Sequence, residues 1–477
     1  MVGFMSWGND TWTGSSRPAL HVRHSVDLLW TTERFGDLFA ILETVIPRLK
    51  KNSCFLSRNT MASDKSRDES FPWHLGVYDA HCHPTDTMSS IETIQNMKAR
   101  VLTVMATRSE DQDLVLSAAN KHSIRSSDPS QWTKEECIVP CFGWHPWFSY
   151  QMYISPSPDS GANEDNELQD QGPLTGQAKM SHYQSVLQPF RSDPSEEDLQ
   201  IYASLPDPTS FSAFLDLTRK HLQQYPFALI GEIGLDRSFR IPESWTGNPD
   251  LWSKRNNNLT PGGREGRRLT PFRCSPSHQK KIFKLQLDLA AEMGRAVSVH
   301  GVQAHGLVLE VLSETWKGCE KQVLSKRERK KRGQDHPAAE AALSADETRN
   351  KDTGEANSGP KSYPPRICLH SYSGSPSNFA QYLRPEIPAK IFASFSTAIN
   401  LSDAIDEEDT PQAFQDIIKT VPDDMLLVES DLHTAGEEMD RRLEDIIRRI
   451  CGIKGWGLEE GVTKLGRNWE AFALGNR

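Results

Sequence analysis

The stretch Val77-Tyr78-Asp79-Ala80-His81-Cys82-His83 decides how the rest of the chain is read. A short apolar approach ends in Asp-Ala-His-Cys-His. On a β-strand side chains alternate between faces, so Asp79, His81 and His83 are expected on one face. Two imidazoles two residues apart at a strand end can grip one metal ion. The plainer reading is a polar strand end with solvated histidines. The metal reading therefore needs further ligands at the ends of later strands.

Working outward, apolar β-rich runs occur at 77–80, 101–106, 138–142, 227–230, 296–299, 367–369, 391–395 and 425–428. Near-continuous apolar runs are typical of strands buried on both faces. Helix-like stretches lie between them. The clearest is 279–293, where Ile282, Phe283, Leu285, Leu287, Leu289 and Ala290 are interspersed with Lys and Gln; 89–99 and 211–224 also read as helices. This alternation predicts an α/β fold, a (β/α)8 TIM-type barrel spanning 71–477. Three polar stretches do not fit it and read as insertions: 151–200, 241–272 and 318–364. Loops of that length are usually lids or disordered, and without them 278 residues remain, close to the ~250 of one barrel.

Residues 1–70 form an N-terminal extension, largely disordered by composition. It holds one amphipathic helix pattern through Phe35, Leu38, Phe39, Leu42, Val45, Ile46 and Leu49. That helix is expected to lie on the main domain, with docking on a partner or membrane surface as the other reading, and Met61 is an alternative start just ahead of the barrel. The basic run Lys326-Arg327-Glu328-Arg329-Lys330-Lys331-Arg332 reads either as a solvated loop or as a nuclear-localisation or nucleic-acid patch.

The 477 residues carry a net charge of -10 and are 37% hydrophobic. Mean hydropathy is -0.57 and the pI is near 5.9. A surface that coats nucleic acid generally is excluded by that balance, so phosphate contacts must be local or metal-mediated. Eight cysteines are scattered without a Cys-x-x-Cys pair; Cys137 and Cys141 have no second pair to complete a zinc site. They read as reduced thiols of a cytoplasmic or nuclear protein. No apolar run is long enough to cross a bilayer and no secretory signal opens the chain, so no membrane is expected.

Six of the runs end in residues able to bind a metal. They are His81 with His83, Gly143-Trp144-His145-Pro146, Gly231-Glu232-Ile233-Gly234-Leu235-Asp236, His300, His370, and Glu429-Ser430-Asp431. A barrel gathers the C-terminal ends of its strands at one mouth, where active sites of this fold lie. With Asp79-Ala80-His81-Cys82-His83, His370-Ser371-Tyr372-Ser373-Gly374, the helix residues Gln279, Phe283, Gln286 and Leu287, and Asn468 with Phe472, this ordered set resembles the TatD family of metal-dependent deoxyribonucleases, in its longer fungal form. The likeness covers most of 76–477 outside the insertions.

The resemblance implies a metal-dependent hydrolase, a DNase cutting phosphodiester bonds as an exonuclease, with two divalent ions (Mg, Mn or Zn). It implies that His81, His83 and Asp431 hold one ion, that His300 and His370 hold the other, and that Glu232 bridges them. Asp431 and Glu232 are then the catalytic groups, with Asp431 as general base. His145 and Ser373 contact substrate or support the ligands. Gly231 and Gly234 are expected to relieve crowding where the backbone nears the metals. The implied partner is DNA, single-stranded or at strand ends, with protein partners reached through the insertions and a monomeric state. The sequence departs from the family after His300, where Gly301-Val302-Gln303-Ala304-His305 lacks the Arg often found there. Two other readings stand beside this one: an amidohydrolase-type esterase or lactonase, and a non-catalytic scaffold using the same barrel.

Overall fold

The computed structural model describes residues 70–155, 172–323, 362–405 and 409–475. The expected helix within 35–49 and the basic run 326–332 lie outside them. Eight strands form the core: β1 Tyr78–Cys82, β2 Val101–Met105, β3 Ile138–Phe142, β4 Leu229–Asp236, β5 Val297–Val302, β6 Arg366–Leu369, β7 Lys390–Phe395 and β8 Leu426–Val428. They pair in that order, every ladder parallel. Main-chain bonds just past the strand ends close β8 onto β1: Asp431 N donates to His81 O at 3.0 Å and His83 N to Leu432 O at 2.8 Å. The protein is a (β/α)8 barrel.

Its longer helices are α1 Ser109–His122, α2 Gly176–Val186, α3 Glu196–Ser204, α4 Phe211–Gln224, α5 Pro276–Glu292, α6 His305–Trp316, α7 Gln412–Thr420, α8 Glu437–Lys454 and α9 Leu458–Ala473. Each buries one stripe. On α8 the stripe is Met439, Leu443, Ile446, Ile447 and Ile450, at the three- and four-residue spacing of a helix face. These join Leu102, Val104 and their counterparts on other strands in the layer between sheet and helices. Helix α9 caps the barrel's interior from below. Trp469 stacks on Tyr78 with centroids 4.5 Å apart, donates from Nε1 to Thr103 Oγ1 at 3.0 Å, and shares an apolar cluster with Val101, Met105, Phe392 and Phe472. Asn468 ties the same helix to β8, donating to Leu426 O at 2.8 Å.

Three expectations need correction. The helix expected over 89–99 is a run of 3-10 turns over Pro84–Asn96, with non-helical angles at Thr87. Its hydroxyls bond their own chain, Ser90 Oγ to Thr87 O at 2.8 Å and Thr93 Oγ1 to Ser90 O at 2.6 Å, which competes with α-helical pairing. The described part of the first insertion has structure of its own, the helices α2 and α3. Tyr183 and Tyr202, fully buried with Tyr150 and Phe272, form a satellite core there; the polar composition around them hid it. The second insertion is pinned at its ends, Ile241 N to Phe272 O at 2.9 Å and Thr270 N to Ile241 O at 2.8 Å.

The segment entering the first insertion is held by two histidines. His278 Nε2 bonds the carbonyls of Ser149 and Met152, both at 3.0 Å, and His182 Nε2 bonds that of Tyr150 at 2.8 Å. Burial pushes the His278 imidazole down to about 4 from 6.5. The folded state thus favours the neutral ring, whose contribution is complete above about pH 6.5 and lost as pH falls toward 4. The stability gap between wild type and His278→Gln should accordingly narrow over that window, in urea melts at stepped pH. A gap constant from pH 7.5 to 4 would refute this.

Candidate metal centre

The mouth of the barrel is built around one carboxylate. Glu232 Oε2 faces His81 Nε2 and His83 Nε2, each at 3.4 Å. Its Oε1 faces His145 Nε2 at 3.0 Å, His300 Nδ1 at 2.7 Å and His370 Nε2 at 3.0 Å. Asp431 Oδ1 completes the first side, 3.3 Å from His83 Nε2 and 3.8 Å from His81 Nε2. The two oxygens of a single side chain thus address separate sets of imidazoles. All of these residues are buried except Asp431, which is half-buried.

Most of the imidazoles are aimed by a partner on the other ring nitrogen, as metal-binding histidines usually are. His81 Nδ1 bonds Ser298 Oγ at 2.8 Å. His300 Nε2 bonds Asp236 Oδ2 at 3.2 Å. His370 Nδ1 lies 3.3 Å from Glu429 Oε1. Glu429 itself accepts from Ser371 N at 2.8 Å and from the hydroxyls of Ser371 and Ser394, which hold it against His370; with His81 and His370 it also forms a group of donor atoms able to hold an ion. Glu429→Gln should weaken divalent-metal affinity about 10- to 100-fold with little change in the circular-dichroism spectrum, as read by metal titration. Unaltered affinity would remove Glu429 from this role.

His145 differs. Its Nδ1 accepts from Trp147 N at 3.1 Å, and burial lowers the imidazole to about 4. A neutral ring whose Nδ1 accepts must carry its proton on Nε2, which then donates to Glu232. His145 thus holds Glu232 in place by donating to it, and with Glu232 and His300 it forms one of the groups of donor atoms able to hold an ion.

The helix behind the mouth fixes the strand ends. On α5, Gln286 Oε1 accepts from Trp144 N at 2.7 Å, and Gln279 Oε1 accepts from Asp236 N at 2.8 Å while its Nε2 donates to Asp236 O at 2.8 Å. Glycines let the strands approach. A Cβ on Gly234, at φ +149, would sit 2.1 Å from His300 O. The crowding at this glycine is with the backbone of β5. Asp79 departs from expectation. The register of β1 against β2 slips between Asp79 and Cys82, and such a bulge breaks the two-residue alternation. The Asp79 carboxylate accepts instead from Ser430 N at 3.1 Å and His81 N at 3.0 Å, stitching the β1–β8 seam.

Burial is the largest influence on every group here and disfavours its charged form. Even so, His145, His370 and His81 hold Glu232 well below the usual carboxylate range. The hydrogen bond to Asp431 and the charges of Glu232 and Asp431 outweigh burial at His83 and lift it to about 9. Asp236 and Glu232 do the same to His300, also to about 9. Buried anionic charge here calls for cations, protons in one state and metal ions in another. The donor set fits divalent metals: nitrogen and carboxylate oxygen atoms of His81, His83 and Glu232 all lie within 4.8 Å of one another, a mixture suited to zinc, manganese or iron.

All six residues expected as ligands thus meet at one place. Ser373 does not join them; it is exposed, and its Oγ is 3.4 Å from His305 Nε2. Sequence reasoning gave no role to Asp236, Glu429 or Ser298. Asp236 and Glu429 lay inside motifs already singled out, and Ser298 two residues before His300, on the same strand face. It also missed Trp147, whose Nε1 donates to Asp236 Oδ2 at 2.6 Å.

Parallel strands that deliver imidazoles and carboxylates to one buried point at the mouth of a (β/α)8 barrel define a hydrolase with candidate metal-binding groups. The profile of the family described as TatD related DNase matches residues 78–472. The chain belongs to that family. It is 35% identical to the Cut9-interacting protein scn1 of Schizosaccharomyces pombe, over 83% of this chain and 98% of the relative. It is 24% identical to the uncharacterized deoxyribonuclease YMR262W of Saccharomyces cerevisiae, over 65% and 74%. Among solved structures it is similar to the TatD homologue YJJV of Escherichia coli, at 14% identity and TM-score 0.39, covering 83% of this chain and 97% of that one. An uncharacterized amidohydrolase from Saccharomyces cerevisiae is similar at 12% identity and TM-score 0.43, covering 82% and 98%.

Proposed function

We propose that the protein is a divalent-metal-dependent phosphodiesterase that shortens DNA from strand ends. The observation that supports it most is the division of Glu232 between two groups of imidazoles, the arrangement a carboxylate shared by two cations requires. His81, His83 and Asp431 would hold one ion and His300 and His370 the other, with Glu232 between them. Bound ions would polarise the phosphoryl oxygens and make a water more acidic. Asp431 would take the proton of the attacking water; its Oδ1 faces His83 and His81, and its Oδ2 lies 3.4 Å from the Ser371 hydroxyl. His145 keeps Glu232 aligned by donating from Nε2. The reading takes the protein as a cytoplasmic or nuclear monomer; among the described residues no helix is long and apolar enough to cross a membrane.

The test is incubation of the pure protein with end-labelled single strands in magnesium, manganese or zinc. Stepwise shortening that stops with chelator is expected. An intact, metal-loaded protein that leaves every strand uncut would defeat the proposal. A second reading has its own support in the relative named as a Cut9-interacting protein: a barrel used to bind a partner of the cell-cycle machinery. Cells carrying Glu232→Ala separate the two, since loss of function follows only if hydrolysis matters.

A further inference from the structure

The second insertion has a composition unlike the rest of the chain. Between Arg237 and Arg273 lie eight Lys and Arg against three Asp and Glu, a local charge of +5 in a protein of net charge -10. Arg237, Lys254 and Arg268 are exposed and make no ion pair among the described residues. The same segment carries paired indoles. Trp245 and Trp252 meet edge to face with centroids 5.3 Å apart, Arg267 lies 4.3 Å over the Trp245 ring, and Trp252 is 46% exposed. Interleaved cations and presented aromatic rings suit a single nucleic-acid strand, whose phosphates need positive charge and whose bases stack on indoles.

The position of the segment is as telling as its chemistry. It starts one residue after Asp236, the partner of His300. Phe239 stacks on Trp147 at 4.7 Å, and Trp147 bonds Asp236. It then reaches the segments that follow β1 and β2. Thr260 N donates to Asp86 O at 2.8 Å, its hydroxyl to Thr85 O at 2.6 Å, and the buried Arg108 donates from Nε to Pro261 O at 2.9 Å. A Cβ on Gly262 would fall 2.0 Å from Arg108 Nε, so only glycine fits there. The segment therefore runs from the β4 side of the candidate metal centre to the β1–β2 side. An acidic chain thus concentrates positive charge on a strap beside its mouth.

We propose that segment 237–273 is a track for single-stranded nucleic acid, with Arg237, Lys254 and Arg268 holding phosphates and Trp252 stacking a base. This rests on the phosphodiesterase reading for the strand's destination, but binding along the track requires no turnover.

The experiment uses the full chain in EDTA and a fluorescein-labelled oligothymidylate of about 15 nucleotides, the scale of a single-strand site. Fluorescence anisotropy should show salt-sensitive binding. Trp252→Ala should weaken it about tenfold. Lys254→Ser with Arg268→Ser should reduce the slope of log affinity against log salt by about 0.7 per cation removed; Lys317→Ser, distant in sequence, should change neither. If Trp252→Ala fails to fold by circular dichroism, the double variant carries the test. Wild-type affinity in the folded variants, or equal affinity for polyglutamate, would overturn the proposal. Hydrolysis of bis(4-nitrophenyl) phosphate with manganese, a substrate too small to use the track, reports the metal centre separately. Binding without that hydrolysis fails the catalytic reading alone, and hydrolysis without binding fails the track alone.

Discussion

Glu232→Ala should lower kcat on DNA by at least about 10³-fold and reduce the metal content measured by elemental analysis. Among the described residues no other side chain presents an oxygen to both sets of imidazoles, so none of them can take its place. The loss has two parts. On the proposed two-ion reading, the change would remove the ligand shared between the cations, and two ions could not be held close together against their mutual repulsion. The five imidazoles then face one another in a buried space with less negative charge, and those of His83 and His300, lifted to about 9 with Glu232 as one cause, fall toward neutrality. Glu232→Gln keeps the shape and removes the charge, so it should lose metal nearly as completely. The variants are expected to remain folded, because the ladders and helix faces do not depend on this residue. Retention of full metal content and turnover by Glu232→Gln would show that the centre is not organised around a bridging carboxylate.

Trp469→Ala should cost about 3–5 kcal/mol of stability in urea denaturation. The indole is 1% exposed, stacks on Tyr78, and bonds the Thr103 hydroxyl within the barrel. Its removal opens a cavity where α9 seals the lower end of the strands and leaves Thr103 Oγ1 without the indole donor. Trp469→Phe should recover part of the loss by refilling the space without restoring the bond. Among the described residues the Trp469 indole bonds Thr103 and none of the imidazoles, and metal affinity in the folded variant should change far less than in Glu232→Ala. A cost below about 1 kcal/mol would mean the floor collapses around the gap without penalty.

Much of this was legible before any coordinates. The eight strands were visible because a strand covered on both sides must be apolar throughout, and that pattern survives long insertions. The six expected ligands were visible because each ends such a run, and a barrel brings run ends together. The glutamines of α5 were visible as residues but not as devices; their bonds to Trp144 and Asp236 join positions about 140 and 43 residues apart. The satellite core under the first insertion was obscured because Tyr183 and Tyr202 are isolated among polar neighbours, and only their packing on Tyr150 and Phe272 gives them a role.

Periodicity and the chemistry of strand ends, both local properties of the chain, by themselves determined the barrel and the residues that gather at its mouth. What each group does there was decided by tertiary contacts. The slip in β1 turns Asp79 to the seam, the Trp147 amide sets the tautomer of His145, the serines around Glu429 hold it against His370, and the Arg108 contact fixes the basic strap beside the rim. Hydrogen-bond partners distant in sequence set these roles, and a linear pattern carries no record of which distant groups will meet.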